Sequence, residues 1–79
     1  PLNDLVERSQ RRNPMARFQN RSMSISYATQ ISVKPPTFVF FVPHTKGVHF
    51  SYERYLMNSI REEFGFDKVP IKLIFRKKR

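Results

Sequence analysis

Lys34-Pro35-Pro36-Thr37-Phe38-Val39-Phe40-Phe41-Val42 is the stretch on which the fold turns. Two prolines stop whatever precedes them. The run that follows is short, β-prone and apolar at every position from Phe38 to Val42. A strand exposed to water on one face alternates apolar and polar residues, whereas a strand covered on both faces does not. The run is therefore read as a central strand over Thr37–Val42, with helices on one face and further apolar surface on the other. A buried helix segment is the rival reading. The brevity of the run and the prolines before and after it argue against that.

On the N-terminal side, from Met23, the period is two. Met23, Ile25, Tyr27, Thr29, Ile31 and Val33 share one face, and Ser24, Ser26, Ala28, Gln30, Ser32 and Lys34 the other. This predicts a half-buried strand with the first set inward. Further back, Leu2, Leu5 and Val6 form an i, i+3, i+4 stripe, with Asp4 and Glu7 early and Arg8, Arg11 and Arg12 late. That arrangement suits a helix dipole and predicts a helix from Leu2 to about Arg12, ended by Asn13-Pro14. Met15–Arg21 is a basic, polar connector carrying Arg17 and Arg21.

On the C-terminal side, Pro43–Gly47 is read as a loop. Tyr52, Tyr55, Leu56, Ser59, Ile60, Glu63 and Phe64 give the clearest helical period in the chain, so a second helix should run from about Val48–Ser51 to Phe64. Gly65 stands where a left-handed C-cap belongs, and Phe66 can pack back on the last turn. Asp67–Pro70 is a turn. Ile71, Leu73 and Phe75 then alternate with Lys72, Ile74 and Arg76 as a last strand, and Arg76–Arg79 is expected to be a frayed basic terminus. The order α-β-β-α-β predicts an α+β sandwich: a three-stranded sheet with two helices packed on one face.

Composition sets outer limits. Seventy-nine residues make at most one small domain, and a chain of this size buries only roughly 60% of its unfolded surface. Eight Phe and three Tyr supply one aromatic core. With no cysteine there is no disulfide framework and no thiolate metal site, which makes a cytoplasmic home the expectation. The longest apolar run, Phe38–Val42, is five residues against the roughly 20 needed to span a bilayer. The chain opens without Met on what reads as a helix already under way, so it is expected to be one domain (1–79) of a longer protein.

Fifteen Lys and Arg face six Asp and Glu, a net charge of +9. Nucleic acid is the default partner for such an excess, because neutralising phosphates releases counterions. An anionic membrane surface and an acidic protein face are the rivals. Arg54 and Arg61 sit seven apart on one side of the second helix, with Lys46 before it and Lys68 and Lys72 after it. With Arg76, Lys77, Lys78 and Arg79 they are the candidate RNA-binding or docking residues. The plainer alternative is a solvated helix face with a solubilising tail. No aromatic pair on an exposed sheet face is evident, and Phe38, Phe40 and Phe41 are assigned to the core.

Catalytic chemistry finds no foothold in the sequence. His44 and His49 are the two imidazoles, and Ser51 near His49 has no third group at a useful spacing. Glu62 and Glu63 are adjacent and diverge by about 100° on a helix. Gly47 and Gly65 are the two glycines, too few for a phosphate-cradling loop. No metal set and no catalytic residues are expected.

Ser32–Val42 as a block, His49-Phe50-Ser51-Tyr52-Glu53-Arg54-Tyr55-Leu56, Ile60-Arg61-Glu62, Phe64-Gly65-Phe66, Pro70-Ile71 and Ile74-Phe75-Arg76 are more particular than generic patterning. With Tyr27-Ala28-Thr29-Gln30, Leu2-Asn3 and Asn13-Pro14, they resemble the C-terminal domain of the Der/EngA family of bacterial tandem-G-domain GTPases. The resemblance implies a KH-like domain without the GXXG loop, whose place between second strand and second helix offers Gly47 alone and leaves no room for an extra helix. It implies a bacterial, cytoplasmic protein acting in large-subunit ribosome assembly. Its partners would be ribosomal RNA and its own G domains, with no membrane. GTP and magnesium would be held by those G domains, and this chain would be a non-enzymatic, monomeric module. The alternative kept beside it is a purely protein–protein or interdomain module that binds no RNA.

Overall fold

The computed structural model describes residues 1–66 and 68–78; Asp67 of the predicted turn and Arg79 of the candidate set lie outside the described residues. The element order is α1 (Leu2–Arg12), β1 (Tyr27–Val33), β2 (Pro36–Val42), a single 3-10 turn over Thr45–Gly47, α2 (Phe50–Phe64) and β3 (Lys72–Lys77). The three strands form one sheet in the order β1-β2-β3, antiparallel between β1 and β2 and parallel between β2 and β3. The doubly apolar run is thus the central strand, as its composition demands.

Both helices pack on one face of the sheet. Leu5 and Val6 from α1 and Tyr52, Leu56 and Ile60 from α2 meet Phe38, Phe40 and Val42 from β2 in one cluster. Phe75 joins from β3, stacked on its register partner Phe40 with centroids 5.3 Å apart. The helices are tied to each other by the Tyr55 hydroxyl donating to Ser9 O (2.9 Å) and by an Arg8–Glu63 ion pair at 3.3 Å. Gly65 ends α2 in the left-handed region at φ 75°, which glycine adopts without the steric cost of a Cβ.

Gly47 serves a different need. A Cβ there would lie 2.8 Å from the Phe18 Cβ, so the glycine lets the Met15–Arg21 connector fold closely over the 3-10 turn. That single turn occupies the segment expected to be plain loop.

The first strand corrects the alternation reading. Met23 and Ile25 are buried as expected, but the regular strand starts only at Tyr27, and Ser26 and Tyr27 both point outward. Two successive outward residues invert the parity. Ala28 is buried, whereas Tyr27, Ile31 and Val33 are 49%, 54% and 80% exposed. A register shift between Gln30 and Ser32 marks a bulge that disturbs the pattern again near the hairpin. The cause of the parity change is on α1. Gln10 exchanges hydrogen bonds with the backbone of Ile25 (2.7 and 3.2 Å), and Asn3 does the same with Ala28 (2.8 and 3.0 Å). Pairing in this way to helix side chains sets which residues of this stretch turn inward.

The C-terminus also departs from expectation. Arg76 and Lys77 are not frayed: they pair in register with Phe41 and Val42, and the Lys78 amide donates to Val42 O at 2.8 Å.

Candidate nucleic-acid interface

The cations fall into groups set by the fold. Lys72, Ile74 and Arg76 alternate along β3 on the side away from the helices, since the intervening Leu73 and Phe75 pack into the helix-side core. Lys77 and Lys78 follow at the end of the parallel β2–β3 pair, and the 3-10 turn carrying exposed Lys46 packs against β3 at that same end. Lys46, Arg76, Lys77 and Lys78 are therefore gathered around the C-terminal ends of β2 and β3. Lys68 is exposed in the loop before β3, at the opposite end.

The two helix-borne arginines are separate from these, and unlike each other. Arg54 is exposed, with its guanidinium 5.9 Å from the Phe50 ring centroid. Arg61 is half-buried and committed to its own backbone, donating to Phe66 O (2.6 Å) and Val69 O (2.9 Å) with Met57 Sδ 3.9 Å away. A guanidinium satisfies several carbonyls at once because its donors are fixed in a planar fork. Arg61 thus latches the loop after α2 instead of standing free beside Arg54.

Charge is sorted by layer. The five acids among the described residues, Asp4, Glu7, Glu53, Glu62 and Glu63, all lie on α1 or α2. Two of them pair with helical arginines: Glu7 with Arg11 at 2.6 Å and Glu63 with Arg8 at 3.3 Å. No strand contains an acid. Among the described residues, Lys34, Lys72, Arg76, Lys77 and Lys78 on the sheet and its edges have no acid paired to them, nor do Arg17, Arg21, Lys46 and Lys68 in the connectors, so the positive potential lies on the sheet and loops and not on the helices.

The helix-free face of the sheet carries a feature that sequence reasoning missed. Tyr27 and Phe41 are register partners, and their rings stack with centroids 4.5 Å apart at an interplanar angle of 21°. Arg76 is the partner of Phe41 on the other side. One row across the sheet therefore reads Tyr27, Phe41, Arg76. The next row reads Thr29, Val39, Ile74. Alternation had placed Tyr27 inside and Phe41 in the core; the parity change at Ser26 puts the pair outside, with Phe41 only half-buried.

An apolar groove and a buried hydroxyl stand out beyond the sheet. Leu2, Phe38, Phe64 and Phe66 line an apolar groove of about 350 Å³ beside the start of α1. Near the start of α2, the Tyr52 hydroxyl is buried with no hydrogen-bond partner among the described residues, and burial, with a smaller contribution from Tyr55, pushes its pKa up to about 12. His44, on the loop after β2, stands near Phe18 with ring centroids 5.7 Å apart, and His49 caps α2 only through its backbone. Among the described residues no three His, Asp or Glu come together as a metal site. No helix among them is long and apolar enough to cross a membrane.

A family model described as the KH-domain-like region of EngA bacterial GTPase enzymes, C-terminal, matches residues 1–76. Among curated proteins, the GTPase Der of Moorella thermoacetica is 50% identical over 78 residues, covering 99% of this chain and 18% of that protein. GTPase Der of Listeria welshimeri is 47% identical and that of Mycoplasma mycoides 45%, with the same coverage. The chain spans less than a fifth of the length of these relatives.

Proposed function

The chain belongs to the KH-domain-like family found at the C-terminus of EngA bacterial GTPase enzymes, and from that premise we propose that it contacts ribosomal RNA by charge and shape while docking on its own G domains. In this reading the parent protein acts in assembly of the large ribosomal subunit in the bacterial cytoplasm. GTP and magnesium belong to the G domains, and this module transforms no substrate.

The observation that carries the RNA reading is the layer-wise sorting of charge. Among the described residues the acids stay on the helices, where arginines answer two of them, and the sheet edge at Lys46, Arg76, Lys77 and Lys78 carries cations with no acid among them. Phosphate contacts of this kind position an RNA without reading its sequence. Nothing about the Gly47 segment suits clamping of a single strand, since that glycine is occupied inward by Phe18.

The apolar groove formed by Leu2, Phe38, Phe64 and Phe66 favours the docking half of the reading, because an apolar recess suits a protein surface better than a phosphate backbone. A titration of large-subunit rRNA fragments at several salt concentrations tests the RNA half. Affinity should fall linearly with log salt, with a slope set by the number of phosphates met. Salt-insensitive binding, or none, would leave the docking role alone.

A further inference from the structure

We propose that the helix-free face of the sheet is a stacking site for an unpaired RNA base, with Tyr27 as the stacking ring and Arg76 and Lys72 holding the adjoining phosphates. This deepens the RNA reading above and rests on it.

Four observations converge on that face. First, Tyr27 is half exposed, yet it is held in place by its 4.5 Å stack on Phe41. An aromatic ring already fixed in one orientation loses little side-chain entropy when a base lies on it. Second, Arg76 stands in the same cross-strand row, and Lys72 lies on the same face of β3. Stacking rings bordered by cations are the usual composition of single-strand binding surfaces. Third, no acid lies on any strand to oppose a phosphate.

The fourth observation separates RNA from a protein partner. Val39, at the centre of this face, is already only 2% exposed, although it is no part of the helix-side cluster. Its neighbours in register, Thr29 and Ile74, flank it. The middle of the sheet is thus closed without a covering layer. What is left open in the row beside it is one aromatic ring and a cation, which suits a base and phosphates better than an apolar protein surface.

The test uses this chain and a short oligouridylate containing a single 2-aminopurine, whose fluorescence falls when the base stacks. The wild-type chain should bind and quench it, and a duplex of the same length should be bound more weakly. Tyr27→Leu keeps an apolar side chain on Phe41 but removes the ring; it should weaken binding about 5- to 100-fold and abolish the quench. Tyr27→Phe should restore both. Arg76→Gln should weaken binding and make the salt slope shallower by about one phosphate contact.

Circular dichroism of each variant confirms that the fold survives. Should Tyr27→Leu bind as tightly as wild type while binding stays steeply salt-dependent, the stacking site is overturned and the charge-driven reading stands. If Tyr27→Leu leaves the oligonucleotide untouched but loosens contact with the G domains in the longer parent, the face is a protein dock and the inference is overturned. Absence of any binding by the wild-type chain, to this probe or to rRNA fragments, would sink both.

Discussion

Asn3 on α1 and Ala28 on β1 exchange two hydrogen bonds: the Asn3 side-chain amide donates to Ala28 O (3.0 Å) and the Ala28 amide donates to Asn3 Oδ1 (2.8 Å). Gln10 repeats the arrangement on Ile25. Seven helical residues rise about 10.5 Å and three extended residues span about 10 Å, so the two side chains keep step with the strand. They run antiparallel to it, imitating a fourth strand with side-chain amides. At Ile25 and Ala28 the outward backbone groups, which would otherwise be unpaired, are thus met by the first helix.

Removing that cover should cost stability. Asn3→Ala strips partners from one partly buried amide and one carbonyl, worth about 1–3 kcal/mol. For a domain of this size each kcal/mol lowers the melting temperature by about 4–8 °C. Asn3→Asp, which keeps the acceptor and loses the donor, should fall between wild type and Ala. Thermal unfolding followed by circular dichroism reads both changes.

The two faces of β2 should answer differently to truncation. Phe40 is fully buried between the helices and Phe75, and Phe40→Ala should cost about 3–5 kcal/mol. A domain of this length holds roughly 4–12 kcal/mol in total, so that variant sits near the threshold of folding. Phe41→Ala, on the open side, should cost distinctly less. Chemical denaturation with comparison of midpoints decides, and equal losses would contradict the assignment of faces.

Arg61 should behave as a structural residue. Arg61→Gln releases the carbonyls of Phe66 and Val69, and hydrogen exchange should quicken in the loop after α2. Arg54→Gln, whose side chain is exposed beside Phe50, should leave that loop unchanged. The contrast between the two variants is the measurement.

Tyr52 sets an alkaline limit. Burial holds its neutral form, raising the folded-state pKa from 10.0 to about 12. Below pH 10 the phenol is protonated in both states and stability is independent of it. Between pH 10 and 12 the unfolded chain loses the proton first, so stability falls as pH rises. Tyr52→Phe should abolish that fall. Near neutral pH it should be neutral or slightly stabilising, because the hydroxyl removed has no partner among the described residues. Urea unfolding across this pH range reads the difference.

Much of this architecture was legible from residue spacing. The helices declared themselves by period and by their ends, Asn13-Pro14 and Gly65, and β2 by its unbroken apolar run from Phe38 to Val42. β1 misled because a strict period of two holds only while the chain stays in one regular strand. Its parity changed at Ser26 through hydrogen bonds to Asn3 and Gln10, two polar residues that helical periodicity treats as mere solvent-facing positions. The stacked Tyr27–Phe41 pair was hidden for the same reason. Arg54 and Arg61 share a helical spacing, yet only the geometry of the loop beyond Gly65 shows that Arg61 is spent on backbone carbonyls.

The far side of the sheet has no helix to shield it. Lys72, Arg76 and Lys77 ride on β3, and like charges discourage a second copy from adding its own strand there. Self-association is thus resisted at the start of β1 by fixed geometry and along β3 by repulsion, which ions weaken. A polyanion bound along β3 would cancel that repulsion, so clumping in dilute buffer and clumping beside nucleic acid should obey opposite salt rules.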